Sequence, residues 1–152
     1  MSRFALVAFV MLAACGTDAV QPDQPDAAVV VPDAPAVKTV CEEAELHSDF
    51  GWIQQHVFTP SCTASACHDA DEPALSLADG VAYANLVDAD TETISGWKRV
   101  VPGSPETSYL MVALGRAPGP PPQDGFMPLL AEPLCAQKLA AIERWIAQGA
   151  QR

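Results

Sequence analysis

Cys62 and Cys67, the latter followed at once by His68, are the residues of this chain best placed to do chemistry. They lie in Ser61-Cys62-Thr63-Ala64-Ser65-Ala66-Cys67-His68, directly after an apolar stripe of helical spacing. Two thiols with an adjacent imidazole can attach a c-type haem. The thiols add across the porphyrin vinyl groups, and the histidine ligates iron from the proximal side. The usual attachment motif places two residues between its cysteines; here there are four. The same three residues could bind zinc, with His47, His56, Cys41, Cys135 or a carboxylate as the fourth ligand, but no second half-site of recognisable spacing follows. A loop closed by a Cys62–Cys67 disulfide is the third reading. On the motif alone all three stay open.

A haem iron held by His68 needs a ligand on its other face. Once the N-terminal leader described below is removed, two methionines remain, Met111 and Met127. Met111 falls among Tyr109, Leu110, Val112 and Leu114 on an apolar helical face, where packing is its expected role. Met127 sits in the irregular, proline-rich stretch from Ala117 to Pro128, and prolines stiffen a loop that could aim a thioether at iron. His47 and His56 read as solvated residues of the first helix. Trp97-Lys98-Arg99 is the one cluster of adjacent basic residues; it suits haem propionates and an ordinary surface turn equally. Trp52 and Trp145 read as packing residues. No nucleophile–base arrangement, phosphate loop or distinctive carboxylate pair is present, so an enzyme is not expected.

The elements that must position these groups are helical. Leu46, Phe50, Ile53 and Val57 are spaced +4, +3, +4, one stripe on a helix expected over 42–56, with Glu42, Glu43 and Glu45 suited to its first turn. Ser104-Pro105-Glu106 reads as a helix start with Ser104 as cap, leading into Tyr109–Leu114 and a stop at Gly115. Leu139, Ile142 and Ile146 mark a closing helix that Pro133 would open and Gly149 would end. A short helix is expected over 81–86. Nothing alternates for four residues or more, so the expected class is all-α with long Pro/Gly-rich loops.

The 152 residues allow one domain of ordinary size. Eight Lys plus Arg against 19 Asp plus Glu give a net charge of −11, which excludes nucleic acid as a partner because phosphate contacts need surplus cations. Arg3 followed by the apolar run Phe4 to Ala14 reads as a signal peptide over 1–14; eleven helical residues rise about 16 Å, too little for a bilayer core of about 30 Å. Leu12-Ala13-Ala14-Cys15 resembles the bacterial lipobox, which implies cleavage before Cys15 and lipidation of its thiol. Gly16, not Asp, follows, so no familiar inner-membrane retention signal is present. The expected location is the cell envelope, lipid-anchored in the outer membrane and facing the periplasm. From Gly16 to Val40, prolines and aspartates alternate without apolar period, a tether that cannot bury enough surface to fold. The segments are then 1–14 leader, 15–40 lipidated cysteine and disordered linker, and 41–152 folded domain.

The order helix, Cys-His motif, middle helix, Met-Pro and closing helix resembles a small monohaem cytochrome c domain. More closely, Val100-Val101-Pro102-Gly103-Ser104-Pro105-Glu106-Thr107-Ser108-Tyr109-Leu110, Met127-Pro128 and Trp145-Ile146-Ala147-Gln148-Gly149-Ala150 look like the cytochrome c-like domains of bacterial lipoproteins. The resemblance covers residues 50–150. It implies one haem c bound through Cys62 and Cys67, with His68 and Met127 as axial ligands. Cys41 and Cys135 are then left as an even pair able to form a disulfide. The function implied is single-electron transfer at the membrane to a redox partner with a basic docking patch. The competing expectation is a haem-free, disulfide-stabilised lipoprotein domain that binds another envelope protein.

The lipobox resemblance carries its own test. Cys15→Ser should abolish metabolic labelling with palmitate and release the chain from the membrane fraction.

Overall fold

Thr39 opens the first helix of the domain. Its hydroxyl accepts from the Glu42 amide at 3.3 Å, and the Glu42 carboxylate accepts from the Thr39 amide at 2.7 Å, a reciprocal capping box over α1, Val40–Glu43. The Thr39 amide first, and then the Thr39 hydroxyl, which donates to the same carboxylate at 3.0 Å, hold the Glu42 carboxyl below its ordinary value. This computed structural model describes residues 38–64, 67–71 and 74–152. The leader, Cys15 and the tether as far as residue 37 lie outside the described residues.

The helix expected over 42–56 is two pieces. A 3-10 turn, Ala44–Leu46, follows α1, and the chain becomes extended at His47. Asp49 then caps α2, Phe50–Ile53, its Oδ1 accepting from the Trp52 amide at 2.8 Å. A side chain that caps so well competes with helix continuation, which is why the run breaks there. Leu46 consequently leaves the stripe and is 72% exposed, whereas Phe50, Ile53 and Val57 are buried. Downstream, α2 runs through a π turn, Gln54–Phe58, into α3, Thr59–Cys62. Pro60 accounts for the wider turn. It has no N–H, and in an α register its ring would meet the carbonyl of His56; instead the Thr59 amide reaches back to the Gln54 carbonyl.

The middle of the chain holds α4, Ala82–Leu86, a 3-10 turn, Pro105–Thr107, and α5, Tyr109–Ala113. Among the described residues no strand forms; single bridges link Val87 to Val100, Asp90 to Lys98 and Lys98 to Ser108. The domain is all-α, as its periodicity predicts. Ser104 makes no side-chain cap. Ser108 organises that turn in its place: fully buried, its hydroxyl accepts from the Val101 amide at 2.8 Å and donates to the Ser104 carbonyl at 2.9 Å.

The closing helix α6, Ala136–Ala147, starts at Cys135 and leaves Pro133 outside. It buries Ala141, Ile142, Trp145 and Ile146. Trp145 packs against Phe50 at 5.2 Å between ring centroids, and Phe50 meets the Tyr83 ring edge-on at 5.2 Å. Polar ties reinforce the contact. The Arg144 guanidinium donates to the carbonyl of Ala44 at 2.7 Å, which also accepts from the His47 amide, and to that of His47 at 2.8 Å. The Gly103 amide donates to the Ile146 carbonyl at 2.8 Å, Gly103 having the positive φ of 81° that a side chain would resist. A Cys41–Cys135 disulfide joins α1 to the head of α6.

Ser108→Ala should destabilise the domain by about 1–3 kcal/mol, because it removes the acceptor of the part-buried Val101 amide. Urea unfolding at constant m-value would measure the loss.

Candidate functional site

α3 ends at Cys62, and its last turn delivers that thiol to the wall of a cavity of about 290 Å³. The remaining walls are mostly apolar: Phe58, Leu75, Leu77 and Leu86 on one side, Leu110, Leu114, Leu134 and Ile142 on others. Apolar walls with a few polar groups, at a volume near 300 Å³, are what small-molecule and cofactor sites present. Of the residues singled out from sequence, Cys62, His68, Met127 and Arg99 all line this cavity. Cys67 does not; it is exposed, with its amide donating to the Ala64 carbonyl at 2.9 Å.

His68 is held at three points. Its amide donates to the Cys62 carbonyl at 2.9 Å, and its carbonyl accepts from the Leu77 amide at 2.8 Å. Its ring Nδ1 lies 2.9 Å from the Leu75 carbonyl. A carbonyl can only accept, so Nδ1 carries the proton, and in the neutral ring Nε2 keeps its lone pair for a ligand or metal. Gln54 supports this loop from the π turn, its Nε2 donating to the Leu77 carbonyl at 2.9 Å. Sequence reading passed over Gln54. The available signal was a polar residue on the buried side of an apolar stripe.

Burial pushes the Cys62 thiol up to about 11, the nearby Cys67 thiol adding to the shift and Lys138 opposing it. Met127 is anchored by its amide, which donates to the Ala113 carbonyl at 2.8 Å at the end of α5. Met111 is fully buried in the core, as its helical face predicts. Arg99 spends its guanidinium on the carbonyls of Asn85 at 3.0 Å and Ala74 at 3.2 Å and approaches the Glu92 carboxylate at 3.5 Å. Lys98 turns to Asp88 at 3.1 Å instead.

His47 and His56 are partly exposed. Both stack on the buried Trp52 ring, with centroids 4.6 and 4.8 Å away, and neither lines the cavity. His47 also meets Asp49 at 3.1 Å. The Asp49 carboxyl is held below its ordinary value by the Trp52 amide first and by His47 after it. Among the described residues, no three His, Cys, Asp or Glu side chains gather as a site for a bare metal ion, which leaves the zinc reading without a ligand set there. No described helix is long and apolar enough to cross a membrane. Compared with known protein families, curated proteins and solved structures, the chain matches none.

The two thiols should separate chemically in protein purified without a prosthetic group. At pH 8 a thiol at about 11 is roughly one-thousandth ionised, so iodoacetamide should modify exposed Cys67 well before Cys62. The Cys62 rate should climb about tenfold per pH unit until it levels near 11. Peptide mass spectrometry over a pH series reads both rates.

Proposed function

We propose that this domain is a cytochrome c-like, haem-binding electron carrier of the bacterial envelope, held to the membrane by lipidated Cys15. The observation that supports it most is that Cys62 and His68 share one apolar cavity with Met127, which lies about sixty residues further along the chain. These residues suit the group. His68 offers an unprotonated Nε2, Met127 a soft thioether, and Cys62 a thiol that burial keeps protonated.

Bound there, haem c would supply a one-electron Fe(III)/Fe(II) couple. Cys62 and Cys67 would hold it through thioethers, Cys67 from the exposed side of the loop. The Leu75 carbonyl would hold the His68 ring by Nδ1–H, which leaves Nε2 for the iron and raises its basicity. His68 and Met127 would supply one nitrogen and one sulfur ligand, a set that favours a higher potential than two histidines do. Arg99, on the wall, would meet propionates only by exchanging its contacts to Asn85, Ala74 or Glu92. The leucine-rich lining would surround the group with apolar side chains and so limit reorganisation as its charge changes. A surface with net charge −11 favours a redox partner with a basic docking patch and a salt-sensitive encounter.

The second reading is the haem-free domain, stabilised by disulfide and binding another envelope protein. The exposure of Cys67, away from the cavity wall, favours it.

Protein expressed with the haem-attachment machinery should keep its visible absorbance through denaturation and acid–acetone extraction, because thioether bonds survive both. A colourless product with Cys62 joined to Cys67 would establish the second reading instead. In the coloured protein, Met127→Ala should lower the reduction potential and remove the weak near-infrared sulfur-to-iron band while haem stays attached. Unchanged potential and band would remove Met127 from the ligand set.

A further inference from the structure

Six large apolar side chains are substantially exposed among the described residues, and three of them fall within five positions around Met127: Phe126 at 59%, Leu129 at 41% and Leu130 at 100%. The other three, Val40, Leu46 and Val81, belong to separate segments. Leu130 is doubly unfavourable. Its φ of 56° is a conformation that L side chains resist, and its whole side chain meets solvent, so no contact within the domain compensates the strain. The loop that presents it is nevertheless anchored, by the Met127 amide on the Ala113 carbonyl. Strain and apolar exposure kept together on a fixed loop point to a partner.

Charge narrows what that partner is. Exposed Asp124 and Glu132 flank the apolar residues, and from Ala117 to Gln137 the chain has no lysine or arginine. The same loop lines the cavity through Asp124, Gly125 and Met127, so a molecule seated on it lies against the cavity wall. A second copy of this chain would bring its own net charge of −11, and an anionic lipid surface would be repelled in the same way.

We infer that Phe126, Leu129 and Leu130 form the docking face for a redox protein whose own face has an apolar centre ringed by Lys and Arg. The inference rests on the electron-carrier reading for the redox character of that partner, and on the loop alone for the chemistry of its surface. Burial of the three side chains supplies contact energy, and the flanking acids supply approach and orientation.

Two inert trications test it. Tris(phenanthroline)chromium(III) is apolar and hexaamminechromium(III) is polar; both broaden nearby amide signals. Titrated into the isotopically labelled full chain, the phenanthroline complex should broaden amides of residues 124–132 selectively, at concentrations at least about threefold below those the hexaammine complex needs. Leu129→Asn with Leu130→Asn should abolish that selectivity, since asparagine tolerates positive φ and removes only the apolar surface. Equal broadening by the two complexes, broadening centred elsewhere, or no change in the double variant would overturn the docking face. So would loss of the same signals on phosphatidylglycerol vesicles or on raising protein concentration alone, assigning the loop to lipid or to a second copy. Absorbance reports separately on haem. A colourless chain with selective broadening would overturn the electron-carrier reading and keep the docking face, and a coloured chain without it would do the reverse.

Discussion

The hydrogen bond from His68 Nδ1 to the Leu75 carbonyl sets both the tautomer of the imidazole and the direction of its free nitrogen. That bond exists only because the 62–77 loop is closed on itself, the His68 amide on Cys62 and the Leu77 amide on His68. The loop in turn leans on Gln54, whose amide nitrogen also reaches the Thr59 hydroxyl at 3.2 Å. Gln54 is buried at the start of the π turn that accommodates Pro60. The turn that answers a missing backbone N–H thus carries the side chain on which the His68 loop leans.

Much of this was legible in the chain before any coordinates. Apolar spacing predicts the closing helix and the all-α class because those helices depend on burial of one face, and period reports burial directly. The helix boundaries were less legible. They are set by hydrogen bonds that compete with the helix, and Asp49 and Ser108 prevail where a stripe or a Ser-Pro signal predicts otherwise. Leu46 follows the apolar period and still ends in solvent, because the break at His47 precedes Asp49 and the stripe restarts after it.

At the site, the identities of Cys62, His68 and Met127 were readable as chemistry, since thiol, imidazole and thioether are uncommon and their order is suggestive. Their supports were not. The Leu75 and Ala113 carbonyls act through backbone, which carries no side-chain signature, and Gln54 acts through a contact 23 residues away. His47 and His56, partly exposed, each add a stacking contact on Trp52 that residue type alone does not announce.

The ties that join the two ends of the domain have a kinetic meaning. Arg144 reaches Ala44, and Ser48 reaches Gln148, each across 100 residues, while Cys41 meets Cys135 across 94. Contacts so distant in sequence form late, since the entropy of closing a long chain must be overcome before they stabilise anything. Leu134 and Ile142, which complete the cavity wall, belong to that late-arriving end. α3, which ends at Cys62, depends on local contacts and needs no such closure. The cavity that Cys62 and His68 line is thus completed last, when α6 docks.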